Sequence, residues 1–296
     1  MATGITNQTV FSEVPYLTVA EYKNAPTSID YDNLVVGGNS TAQDAELLRV
    51  ISRASSYMDE YLNQNLVAST LNENQRTRFT PDGFVTLHPN HTPIISLQSF
   101  EYGFDPNNLI TLPDCSITWF EDQQMIIPVS SISTTYSSAG PLSFGGGGSS
   151  RNQLYTKYTY TAGYVNNAIA SATAGQSTMT VLNATGILAD TTYRISDGAN
   201  SEVVTVASNY TYGSTTVPLT SALLYTHASG VTFGNLPAAI KQACILITTA
   251  FIKVRGDNSM TMQITTSPTA NVTGANRWGG DIALALEMVQ LYRRVR

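Results

Sequence analysis

Charge is scarce in this chain. Asp, Glu, Lys and Arg make up 12% of its 296 residues, about half the usual ~25%, and Ser, Thr, Asn and Gly take their place. Apolar content is an ordinary 42%, so the low charge does not signal disorder, which pairs few apolar residues with high charge. Long hydrophobic runs are missing too. The most apolar stretch, Ala243 to Ile252, is broken by Thr248 and Thr249, and nothing approaches the ~20 apolar residues that span a bilayer. The two cysteines, Cys115 and Cys244, exclude a disulfide framework and a four-cysteine zinc site; both read as small buried hydrophobes. The start, MATGITNQTV, has no basic region ahead of an apolar core, so the expectation is a protein made in a cytoplasm.

With 15 basic residues against 21 acidic and a net charge of −6, a general nucleic-acid binder is disfavoured, since such proteins collect Lys and Arg. The distribution says more than the sum. Residues 79–150 hold Asp82, Glu101, Asp105, Asp114, Glu121 and Asp122 and no Lys or Arg, whereas Arg293, Arg294 and Arg296 cluster at the end.

What is present reads as a mixture of helices and strands. Thr18 and Glu21 have the spacing of a capping box, predicting a short helix that ends near Pro26. Across residues 42–64, Leu47, Leu48, Ile51, Ala54, Met58, Tyr61 and Leu62 recur at helical steps, with Arg49, Arg53, Asp59 and Glu60 largely elsewhere, which predicts an amphipathic helix. From Gln75 the period becomes that of strands: RTRF, the turn Pro81-Asp82-Gly83 and FVTLH read as a hairpin. Further strands are expected near 94–102, 109–120, 124–129 and 154–164, with a glycine-rich loop over 130–153. Residues 166–234 carry short strands at about ten-residue spacing, plus a helix-like SALLYTHASG, and predict a small barrel or sandwich. A second long helix follows Pro237 and stops near Gly256. After the polar stretch 257–280, Asp281 is expected to cap a last helix with a basic end.

Catalytic signatures fail when tested. Gly145 to Gly148 is followed by Ser-Ser-Arg, without the Gly-Lys-Ser/Thr of a phosphate loop. His88 and His91 have no third ligand beside them and read as a solvated loop. His227 reads as a packed surface histidine. Glu121 and Asp122 are adjacent on a strand, so they face opposite sides and cannot form a dyad.

The order of elements carries a resemblance: ELLRVISRASSYMDEYL (46–62), RFTPDGFVTLHPNHTPIISLQSFEYG (78–103), a strand ending YTAGY (160–164), LPAAIKQA (236–243) and a terminal ALEMVQLYRRVR. In this order the chain resembles the head-tail connector, or adaptor, proteins of long-tailed double-stranded-DNA bacteriophages. The resemblance covers residues 16–165 and 235–296, and the stretch between departs from the family pattern. It implies an α+β fold, a helical bundle with a β-hairpin region formed by residues 1–165 and 235–296, and an inserted all-β module at 166–234. It implies no enzyme and no cofactor, but a structural virion protein, made in the bacterial host cytoplasm. About twelve copies would close into a ring through head-to-tail contacts. The ring would sit under the portal in the neck, bind the portal and the next neck or tail protein, and pass DNA without sequence-specific binding.

On that reading, Leu284, Met288, Leu291, Tyr292, Arg293, Arg294 and Arg296 are the expected portal-binding residues, combining one apolar helix face with an aromatic and planar donors. Asp82, Glu101, Asp105, Asp114, Glu121 and Asp122 are channel-lining candidates, because a channel that DNA crosses should not hold phosphate; the plainer reading is that they are simply solvated. A second reading is a tail or surface adhesin whose β module stacks carbohydrate on Tyr193, Tyr210, Tyr212 and Tyr225, residues that burial would explain equally well.

Overall fold

The computed structural model describes residues 15–27, 29–78, 83–121, 123–129, 153–254 and 275–294. They fall into two compact units, one spanning 68–163 and the other combining 15–67 with 164–294.

Among the described residues the first unit is all-β. Strand β1 (Ser69–Arg78), β3 (Ile94–Asp105), β4 (Asn108–Thr111) and β7 (Gln153–Ala162) form an antiparallel sheet in the order β1-β7-β3-β4, while β2 (Phe84–Leu87), β5 (Trp119–Glu121) and β6 (Gln124–Pro128) form another, ordered β2-β6-β5. β1 and β7 pair without a break from Ser69↔Ala162 to Arg78↔Gln153. Period-two alternation puts Tyr158, Tyr160 and Ala162 of β7 on one face, where they join Leu71, Phe100, Val85, Met125 and Ile127 in a shared core. The expected hairpin between RTRF and FVTLH is therefore not formed: β1 and β2 belong to different sheets, because β1's long alternating face finds a longer partner in β7 than the four-residue β2 offers. Hairpins do occur at β3–β4 and β5–β6.

The second unit holds the helices and a curled sheet. Helix α1 (Val19–Asn24) has the complete capping box, with the Thr18 hydroxyl accepting from the Glu21 N–H at 3.2 Å and the Glu21 carboxylate accepting from the Thr18 N–H at 3.0 Å. Helix α2 (Ser40–Leu62) starts at Asn39, whose side chain accepts from the Ala42 N–H, and stops at Asn63 in the left-handed region at φ 56. Asn tolerates that conformation better than most residues, so it ends the helix at low cost. Leu47, Ile51, Ala54, Met58 and Leu62 of α2 pack with Ile240, Ala243, Cys244 and Ile247 of α3 (Ala238–Val254) and with Ala285 and Val289 of α4 (Ala275–Val289). Each fully buried Leu, Ile or Met in this cluster contributes about 1.5–3 kcal/mol.

Residues 166–234 supply β8 (Asn166–Ser171), β9 (Thr178–Val181), β10 (Thr192–Ser196), β11 (Glu202–Thr205), β12 (Thr216–Pro218) and β13 (Thr232–Gly234), a six-stranded antiparallel sheet ordered β11-β10-β13-β8-β9-β12. It curls into a half-barrel around its own core, which includes Ile169, Val181, Tyr193, Ile195, Val217 and Phe233. The two edges meet at a bridge between Val206 and Leu219, reinforced by the Ala207 N–H donating to Pro218 and the Thr220 N–H to Thr205.

The architecture is thus α+β, with three antiparallel sheets and four helices among the described residues, and it is not dominated by a helical bundle. The reason is visible in the pattern: the described residues of 69–128 and 153–162 carry strand-like alternation, which commits them to sheets. Two further expectations change. SALLYTHASG forms no helix. The last helix begins at Ala275, so Asp281 lies inside it and pairs with Lys253 of α3 at 3.4 Å instead of capping it.

Candidate functional site

At the C-terminal segment, helical spacing separates two faces of α4. Ala285 and Val289 are fully buried in the core, with Leu286 packed beside them. Leu284 and Met288 lie on another face, and Leu291 follows three residues later in the short 3-10 turn Gln290–Tyr292 that continues the helix: Leu284 is 51% exposed, Met288 half-buried and Leu291 94% exposed. A side chain as apolar as Leu291 gains about 1.5–3 kcal/mol when a partner covers it. The residues that follow are held by their own chain. Tyr292 packs edge-on against Tyr164 with centroids 6.2 Å apart, and its carbonyl accepts from the Gln64 side chain at 2.6 Å. The Arg293 guanidinium lies 4.9 Å from the centroid of the Tyr61 ring. The Arg294 N–H donates to the Leu62 carbonyl, and its own carbonyl accepts from the Asn63 amide. So Leu284, Met288 and Leu291 face outward together, Tyr292 is a core contact, and Arg293 and Arg294 close over the end of α2. Arg296 lies outside the described residues.

The acidic candidates lie in the first unit. Glu101, on β3, stands directly opposite Lys157 of β7 and meets its ammonium at 3.4 Å. Asp105 ends β3 and accepts from the Asn107 N–H at 2.9 Å, and Asp114, in the loop after β4, accepts from the Ser116 N–H at 2.8 Å. Ser116 holds the Asp114 carboxyl below its ordinary value. Glu121 is exposed at the end of β5, and Asp82 and Asp122 lie outside the described residues. A base-free stretch of sequence is therefore not base-free in space, since the antiparallel neighbour brings in Lys157.

Three buried polar networks were not expected. In the half-barrel, His227 has a side chain with no exposed surface, its Nδ1 2.9 Å from an Asp197 oxygen and its Nε2 2.8 Å from a Glu202 oxygen. Ionised carboxylates only accept, so a ring nitrogen that carries a proton donates to the carboxylate it faces. The Glu202 carboxylate also accepts from the N–H groups of Leu224 and Tyr225, pinning the loop that was expected to be helical. Burial works to raise the Glu202 carboxyl, but the Leu224 N–H, the His227 ring and the Tyr225 N–H outweigh it and hold it below its ordinary value. His227 is thus a buried clamp and not a surface residue.

In the first unit, Glu73 accepts from the Asn90 N–H at 3.1 Å, the Tyr158 hydroxyl at 3.0 Å and the Tyr160 hydroxyl at 2.6 Å, with His91 Nδ1 at 3.6 Å. Burial alone would raise Glu73, yet His91, Tyr160, Asn90 and Tyr158 together lower it. Burial, then the charge of Glu73, pushes the Tyr160 phenol up. His91 is buried here, while His88 is exposed. The strand pattern held a signal for this network: Leu71, Glu73 and Gln75 share one face of β1, so a carboxylate sits in line with a core leucine. In the second unit, Asp59 is fully buried and accepts from the Tyr16 hydroxyl, which in turn accepts from the Leu66 N–H.

Among the described residues, no group of three or more His, Cys, Asp or Glu is arranged to hold a metal ion, and no helix is long and apolar enough to cross a membrane. No protein-family model, no curated protein and no solved structure matches this chain.

Proposed function

We propose that the chain is a structural virion protein, a ring-forming head-tail connector that sits under the portal of a long-tailed DNA bacteriophage, joins head to tail and lets DNA pass. The observation that carries this reading is the outward stripe of Leu284 and Met288 on a helix whose other face is locked into the core, extended by Leu291 in the 3-10 turn that follows. It offers a rigid apolar surface for a partner, and the Arg293 guanidinium stands next to it in sequence. A closed ring of identical subunits needs two unlike surfaces on each copy. The edge strand β5, with Trp119 at 60% and Phe120 at 42% exposure, supplies a second apolar surface in the other unit. In this account Asp105, Asp114 and Glu121, with Asp82 and Asp122, remain the channel candidates, and Glu101 contributes less because Lys157 pairs with it.

The adhesin reading loses half of its platform: Tyr193 and Tyr210 are 2% and 8% exposed and belong to the half-barrel core, leaving Tyr212 and Tyr225 outward. The test is assembly on purified portal rings, followed by negative-stain averaging. The intact chain should add a ring of density to one face of the portal, and the double substitution Leu284→Asp with Leu291→Asp should abolish it while the melting temperature stays put. Attachment that survives both substitutions would remove the stripe from the interface.

A further inference from the structure

The two sheets of the first unit share one core between their inner faces, so their outer faces point in opposite directions, and the two are unlike. On the outer face of β1 and β7, Arg76 and Arg78 stand beside Tyr155 and Lys157. Every Lys and Arg described in this unit lies there. The Arg76 guanidinium is 4.8 Å from the centroid of the Tyr155 ring, a stacking that holds its plane and leaves its donors free. Lys157 has Glu101, but among the described residues no carboxylate meets Arg76 or Arg78. Like charges side by side on one sheet face repel, so an anion brought to this stripe stabilises it.

The outer face of β2, β6 and β5 is the reverse. Val85, Leu87, Met125 and Ile127 turn into the core, which leaves Phe84, Ile126 and Trp119 outward. Trp119 pairs with Ile126 across the ladder and stacks on Phe84, with ring centroids 5.7 Å apart and 30° between the planes. A solvated sheet face is ordinarily polar, whereas this sheet is apolar on both sides. Its edge strand β5 is exposed along its whole length, and Glu121 shares the outward face with Trp119. An exposed apolar patch with a polar rim marks a contact surface.

We propose that the β5 end of one copy of the chain docks on the Arg76 and Arg78 stripe of another. Trp119 presents its ring to an arginine plane and Glu121 its carboxylate to an arginine fork, and Trp, Tyr and Arg are the residue types that dominate interfaces. Because the two surfaces look opposite ways, each copy offers one of each, and the contact repeats head to tail. A nucleic acid fits less well: two unpaired arginines release few counterions, and Glu101 lies on the same sheet face as the stripe. The proposal rests on the connector reading for closure into a ring but not for the contact itself, and it moves Glu121 from the channel to the boundary between copies.

The experiment is sedimentation velocity of the full chain over a concentration series at about 0.01 M and about 1 M salt, where charges act across ~30 Å and ~3 Å. The intact chain should self-associate, more strongly at low salt. Arg76→Glu with Arg78→Glu, and separately Trp119→Ser, should each weaken association at least about tenfold, the scale of an interface anchor. Circular dichroism confirms that both fold, and the milder pair Arg76→Gln with Arg78→Gln should act in the same direction. Each variant keeps one intact surface, so an equimolar mixture of the two should give a heterodimer and nothing larger. No association of the intact chain, undiminished association of either variant, or a mixture without heterodimers would each overturn the proposal. A labelled DNA duplex that binds the stripe while the arginine substitutions leave self-association unchanged would overturn it in favour of nucleic acid. Portal attachment is read separately: a chain that attaches to portals but fails these tests leaves the connector reading standing, and one that passes them but fails on portals overturns that reading alone.

Discussion

Replacing His227 by Ala probes the half-barrel at its buried clamp. The substitution removes contacts of 2.9 and 2.8 Å to Asp197 and Glu202 and leaves two carboxylates without the ring between them. Leaving a buried carboxylate without its partner costs about 3–5 kcal/mol. Two features pull the value to the low end. Glu202, 5% exposed at its side chain, keeps the N–H groups of Leu224 and Tyr225, and Asp197, 27% exposed, is rehydrated. The expectation is therefore about 3 kcal/mol, which at about 2–4 °C per kcal/mol for a unit of this size lowers the melting temperature by roughly 6–12 °C. Calorimetry gives the shift directly, and a double-mutant cycle with Glu202→Gln should show a coupling above about 1 kcal/mol. Amide exchange at Leu224 and Tyr225 should rise in parallel, because the clamp that orders their loop is gone. A loss below about 0.5 kcal/mol, the range of ordinary surface substitutions, would refute the reasoning.

Acid should weaken both units. Glu73 and Glu202 have folded-state values below their ordinary one, so their contribution is fully present above the usual Glu value of about 4.3 and is lost as pH falls through the lower folded values; denaturant midpoints measured on the acid side of neutrality check this, and Glu73→Gln should flatten the slope. Gly234→Ala should be poorly tolerated, since a Cβ there would stand 2.0 Å from the Val165 carbonyl oxygen, a backbone atom that cannot step aside; a soluble variant with unchanged melting would contradict it. Burial pushes the Cys244 thiol up to about 12, so a thiol reagent should leave it unlabelled until the protein unfolds, while the partly exposed Cys115 reacts first; mass spectrometry of a short pulse decides.

Helices α1, α2 and α3 were legible because their signals are local. The capping box at Thr18, the apolar period of α2 and Pro237 before α3 all act within a few residues. The strands of 166–234 were legible as a small β module for the same reason, through their spacing and turns. What escaped was non-local. Nothing near Asp59 in sequence announces the Tyr16 hydroxyl 43 positions away, and Asp197, Glu202 and His227 meet only when β10, β11 and the 221–227 loop are folded together. The pairing of β1 with β7 instead of β2 was hidden because local turn residues favour a hairpin, whereas the longer ladder forms between strands more than seventy residues apart. Lys157 opposite Glu101 follows from that same sheet. The outward stripe of α4 was legible from its spacing, but the docking of Tyr292 to Arg294 onto the end of α2 was not. Those contacts mean that truncation after Leu291 would disturb the body as well as any interface, which is why surface substitutions are the better probe.

The connector reading is tested most directly by locating the chain in intact virions with a specific antibody and gold label, seen by electron microscopy. The account predicts label at the neck, between head and tail, in every tailed particle. Label at the tail tip, or none on particles that still carry the chain elsewhere, would contradict it.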